Sequence, residues 1–134
     1  MKDVTWFHPA IAVVGRVMFT LIFFASGVTH FTDLEHYAEL MPASTPYPAF
    51  WVMISGAVEL IGALMIVTNR YARLGGWLIF IFLVPVTVAV HGVLLANATD
   101  PATIRYQQSF FMKGVTMAGA ALLITQLGVA RSRE

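Results

Sequence analysis

The chain has 134 residues, 58% of them hydrophobic and 11% charged, with a mean hydropathy of +0.76 and a formal net charge of +1. A soluble domain carries about a quarter charged residues, so this composition points to one integral membrane domain. The near-neutral charge argues against nucleic acid as a partner, and the absence of cysteine excludes disulfides, thiolate metal sites and Fe–S clusters held by this chain.

The N-terminus does not read as a cleavable signal, because the first apolar run is too long and no small-residue cleavage site follows it. Trp6 and Phe7 suit a membrane interface, and Pro9 suits the first turn of a helix, where its missing N–H is not needed. A first span is expected over 11–31. On a 3.6-residue period Arg16, Thr20, Phe23, Gly27 and His30 share one face, which gathers the polar groups and should face the bundle.

Residues 32–48 are polar, acidic and proline-rich. Thr32 with Glu35 three positions on is a capping-box pattern for a short interfacial helix, whose stripe would be Leu34, Tyr37, Ala38 and Met41. The second span, 50–67, contains a single charge, Glu59, near its middle. An ionisable group at that depth costs at least a few kcal/mol and is normally turned inward and partnered. Ser55, Gly56, Gly62 and Ala63 lie on its helical face and admit a close neighbour.

A basic turn with Arg70 and Arg73 leads to a third span, 74–95, in which Pro85 is expected to kink the helix. Thr87 and His91 follow. After the polar link 97–103, a fourth span over 106–127 carries Lys113. The expected fold is all-α: an integral membrane four-helix bundle, up-down-up-down, with a short interfacial helix between spans one and two. Lys2, Arg70, Arg73, Arg131 and Arg133 flank one side against Arg105 on the other, which places both termini in the cytoplasm of a multi-pass protein of a bacterial inner membrane.

Counted by helix rise from the opposite ends of the spans, His30 falls at the outer surface, His91 about 6 Å down, Lys113 about 10 Å and Glu59 about 15 Å. Four ionisable groups from four helices thus descend one leaflet. A structural reading makes Glu59 and Lys113 a register-fixing ion pair, His91 and His30 satisfied interfacial groups, and Arg16 a snorkelling anchor. A functional reading makes the ladder a headgroup site for a lipid-borne quinone. Glu59, His91 and Lys113 would act on it, with His30, Thr87, Phe110 and Phe111 binding it and Phe23 and Phe24 lining the slot. A metal site of His30, His91 and Glu59 lacks a local spacing motif, and haem between His30 and His91 is disfavoured by their shared leaflet. A solute or proton path remains open, although four spans without broken-helix repeats make a small transporter.

The segments GRVMFTLIFFASGVTHF, SGAVELIGALMIVTNRYARLGG, His91 and FFMKG resemble the DoxX family of small four-span bacterial membrane proteins. Arg16, Gly27, Glu59, Gly62, Arg70, Arg73, His91 and Lys113 fall on that family's recurring positions, whereas His30 stands where the family has a lysine, and the 97–105 link is longer. The resemblance implies either a membrane subunit of a quinone-linked oxidoreductase acting on sulfur compounds, or a membrane partner of oxidative-stress enzymes. Such roles imply other protein subunits, or a homo-oligomer, within the lipid bilayer. A non-catalytic scaffold for a soluble enzyme is the alternative.

Overall fold

A computed structural model describes residues 8–126. The N-terminal Trp6 and Phe7, the end of the fourth span at Leu127 and the tail arginines lie outside the described residues. The elements are α1 (Pro9–Thr32), α2 (Leu34–Glu39), α3 (Pro48–Val67), α4 (Ala72–Pro85), a π-helical segment (Val86–Gly92), α5 (Val93–Asn97) and α6 (Pro101–Gln126). No strand occurs among the described residues. Proline occupies the start of both α1 and α3, and Asp100 caps α6, accepting the Thr103 N–H at 2.8 Å with Pro101 at the first helical position.

Three helices are long and apolar enough to cross a membrane: Pro9–Thr32, Pro48–Val67 and the continuous run Ala72–Asn97. α6 has the length for a crossing, with 26 residues, but it carries Arg105, Gln107, Gln108 and Lys113 and is less apolar than the others. Burial is inverted relative to a soluble bundle. Ile11, Met18, Ile81 and Leu123 are exposed, whereas Thr20, His30, Glu59, Thr87, Gln107 and Thr125 are buried. An apolar outer surface with the few polar groups of the spans turned inward is the distribution that a hydrocarbon solvent selects.

The helices pack in the order α1, α3, α4, α6, and residue contacts such as Gly27–Leu60 with His30–Gly56, and Gly76–Ala121 with His91–Gln107, run in opposite senses along neighbouring helices. Glycines set the crossings. A Cβ on Gly56 would come within 2.8 Å of His30 Cβ and 3.1 Å of the Gly27 carbonyl, and one on Gly75 within 2.7 Å of the Gly62 carbonyl. One on Gly76 would meet the Ala121 carbonyl at 2.9 Å. These are backbone-to-backbone approaches that a side chain would prevent. Arg73 Nε donates to the Thr125 carbonyl at 2.7 Å and ties the start of α4 to the end of α6. α1 and α6 make no close backbone contact. Phe23, Ala63, Ile66, Ile79, Leu83 and Ala121 fill the centre, with Phe19 and Met117 packed against them.

The structure departs from the expectations in three places. Thr32 is the last residue of α1 rather than a cap, and Asp33 precedes α2 without a side-chain cap bond. The predicted stripe of α2 is nevertheless half-buried at Leu34, Tyr37, Ala38 and Met41. Pro85 produces a wider turn instead of a simple kink: the missing N–H is followed by seven residues of π-helix. The helices also start earlier than the apolar runs do, by two residues at Pro9, Pro48 and Ala72 and by five at Pro101.

Candidate functional site

The face predicted for α1 is buried at Thr20, Phe23, Gly27 and His30. His30 does not sit at the surface as expected. It is 5% exposed, and its Nδ1 lies 3.1 Å from Oε1 of Glu59, itself 0% exposed. The expectation assumed that neighbouring helices end at one depth. The last turn of α1 instead packs on Gly56, eight residues into α3 and about 12 Å below its start at 1.5 Å per residue. The space above is filled by α2, which packs on α3 and on the end of α1. Tyr37 of α2 covers the His30 ring edge-on at 4.3 Å between centroids, and its hydroxyl pairs with Thr29 Oγ1 at 2.9 Å. Phe82 of α4 approaches the same imidazole, its centroid 6.0 Å away.

Nδ1 of His30 has two neighbours at equal distance. Ser55 donates its hydroxyl to the Val52 carbonyl at 2.8 Å, so its oxygen is placed to accept from Nδ1–H at 3.1 Å. The Glu59 oxygen is also 3.1 Å away, yet neither carboxyl oxygen is aligned for a hydrogen bond. The Ser26 hydroxyl is the other polar neighbour of that carboxyl. A buried acceptor without an aligned partner costs about 1–3 kcal/mol, a strain usually retained at sites with a task.

A second group forms between the π segment and α6. His91 Nδ1 lies 3.0 Å from Gln107 Oε1, which accepts from the Nδ1–H tautomer and holds the ring in place. The imidazole stacks on Phe110 at 5.1 Å, and Lys113 Nζ stands 5.4 Å from the same ring. Phe111 packs on Gly92, and Thr87 packs on Gly114 with its hydroxyl buried and unbonded. Lys113 is exposed and lines a lateral groove of about 340 Å³ with Ile22, Ser109, Met112, Thr116 and Met117. The groove follows the loose seam between α1 and α6.

The sequence-predicted residues are therefore gathered into two groups. His91, Lys113, Phe110, Phe111 and Thr87 lie along the π segment and α6, and His30 and Glu59 lie between α1 and α3. Among the described residues no hydrogen bond or ion pair joins the two groups, so Glu59 and Lys113 do not form the register-fixing ion pair. Phe23 is a core residue rather than part of a slot, and Phe24 packs against that core. Arg16 is half-buried with an unbonded Nε, less free than a snorkelling anchor. Gln107, which orients His91, was missed, and Ser55 was read only as a small residue on the Glu59 face, not as the partner of His30. Gln107 shares a helical face with Phe111 and Gly114 at four- and three-residue steps, a signal that would have found it. No group of three His, Asp or Glu suited to a metal occurs among the described residues.

The DoxX family model matches residues 11–92, well over half of the chain. The chain belongs to the DoxX family. No curated protein and no solved structure matches it. The match in this DoxX protein takes in His30, Glu59 and His91 and stops at Gly92, before Gln107, Phe110 and Lys113, so the α6 half of the candidate site rests on geometry alone.

Proposed function

We propose that this DoxX protein is a quinone-interacting membrane subunit of a redox or detoxification system. α6 would be a fourth span, giving an up-down-up-down bundle with both termini on the cytoplasmic side of a bacterial inner membrane. The observation that carries the reading is the groove between α1 and α6. It opens sideways toward the acyl chains, has the volume of a small-ligand pocket, and is apolar except for Lys113, Ser109 and Thr116. A quinone dissolved in the bilayer would reach the protein from that side. Its apolar ring would pack against Ile22, Met112 and Met117, and Lys113 is a cationic donor for a carbonyl oxygen that gains charge on reduction. His91, oriented by Gln107, would relay protons from behind Phe110, on which it stacks and which Lys113 also approaches. With no cysteine to hold a redox centre of its own, the proposed subunit would draw electrons from a partner.

Binding of a short-chain benzoquinone to the full chain in lipid nanodiscs tests the reading. Lys113→Met and Ile22→Trp, which remove the cation and fill the groove, are each expected to weaken binding about tenfold or more, the scale of one charge-assisted contact. Unchanged affinity in both refutes it.

A scaffold role is the second reading, supported by the exposed Ser109, Lys113, Thr116 and Gly119 on one side of α6, small and polar groups of the kind that pair membrane helices. Cysteines placed at Thr116 and Gly119 would then be shielded from a lipid-soluble thiol reagent in native membranes and reactive in the purified chain.

A further inference from the structure

We infer that the His30–Glu59 pair is a buried proton-exchange site, loaded from the end of the bundle that α2 covers. Four observations converge on it. Glu59 is wholly buried with only the Ser26 hydroxyl and His30 Nδ1 as polar neighbours, fewer donors than a purely structural carboxyl at this depth would gather. Its one basic neighbour is a histidine, the side chain whose proton affinity lies nearest neutrality. Nδ1 is equidistant from Ser55 and Glu59, so a small ring movement redirects its proton from the hydroxyl to the carboxyl. The imidazole lies under a single half-buried ring, Tyr37 of the six-residue α2, rather than under a full helix.

The step balances without any further reactant. A proton from water binds Nε2, giving imidazolium beside carboxylate. The Nδ1–H bond then breaks as an Oε1–H bond forms, leaving neutral imidazole beside neutral carboxylic acid. This second step moves no net charge into or out of the pair, so it avoids the penalty of isolating an ion in low dielectric. The groups facing the pair are Ser26 on α1, His36 and Tyr37 on α2, Ser55 on α3 and the uncharged Phe82 on α4. His36 stacks edge-on against Tyr37 with centroids 5.6 Å apart, and it shares the covering segment with the exposed carboxylates Asp33, Glu35 and Glu39. The inference does not depend on a quinone occupying the groove.

Infrared difference spectroscopy of the full chain in nanodiscs, with carboxyl-labelled glutamate and no quinone present, tests it. A labelled carboxylic-acid band is expected to respond reversibly to pH between about 5 and 9 and to shift in D2O. It should be absent in Glu59→Gln. In His30→Asn the band should persist but exchange at least tenfold more slowly. In Tyr37→Ala, which lifts the cover, exchange should be at least tenfold faster. A wild-type band that neither titrates nor exchanges, or exchange unchanged in His30→Asn, overturns the inference. Should Glu59→Gln fail to fold, the wild-type band with the His30 and Tyr37 variants decides.

Discussion

His30 and Glu59 are 3.1 Å apart although they stand 29 positions apart in sequence and the apolar pattern puts them at different depths. Their meeting sets the most direct stability prediction. His30→Ala leaves a fully buried carboxyl without its basic neighbour and should cost about 3 kcal/mol in a reversible unfolding titration in mixed micelles. Glu59→Gln keeps the shape and should cost less. The double variant should be less destabilised than the sum of the two, a coupling that a double-mutant cycle reads directly.

Gly75→Ala and Gly119→Ala form a matched pair. A methyl on Gly75 falls 2.7 Å from the Gly62 carbonyl and 2.9 Å from Met65 Cβ, atoms that cannot move without separating α3 from α4. We expect a loss of about 2 kcal/mol. Gly119 has nothing within 4 Å, so its alanine variant should be neutral or more stable by up to about 1 kcal/mol through helix propensity. Thermal denaturation in detergent separates the two.

Thr87 and Gly114 are packed so tightly that alanine at 114 would overlap the threonine hydroxyl. Gly114→Ala should therefore loosen the π segment against α6 and weaken the groove ligand's binding. Thr87→Ala, which removes the hydroxyl, should restore part of the lost binding and melting temperature.

Asp100 provides the pH prediction. The Thr103 backbone N–H, followed by the Thr103 hydroxyl, holds its carboxyl below the ordinary value. A depressed folded value contributes stability that is present above the unfolded pKa and is lost as pH falls through the folded one. The melting temperature of the wild type should thus decline on acidification below about pH 4 with a component missing in Asp100→Asn. Serial melts of the two proteins across that range check it.

Much of the architecture was legible in the sequence, because a hydrocarbon solvent rewards simple patterns. The apolar runs marked the long helices, and the period of Arg16, Thr20, Phe23, Gly27 and His30 identified the inward face of α1. Ser55, Gly56, Gly62 and Ala63 identified the helix face on which Glu59 lies. What could not be read was relative depth. Nothing in the pattern says that α3 overshoots the end of α1 or that α2 fills the gap, and on that offset the pairing of His30 with Glu59 depends. Pro85 announced a disturbance but not its form, since a kink and a π segment both satisfy a missing N–H. The partnership of His91 with Gln107 required knowing which faces of the third span and α6 meet.

The central functional claim is a quinone headgroup in the seam between α1 and α6. Photolabelling the full chain in nanodiscs with an azidoquinone, followed by peptide mass spectrometry, measures its position. The account predicts covalent label on Ile22 and on the Met112–Met117 stretch of α6, competed away by unlabelled benzoquinone. Competable label confined to other faces, or no competable label at all, would contradict it.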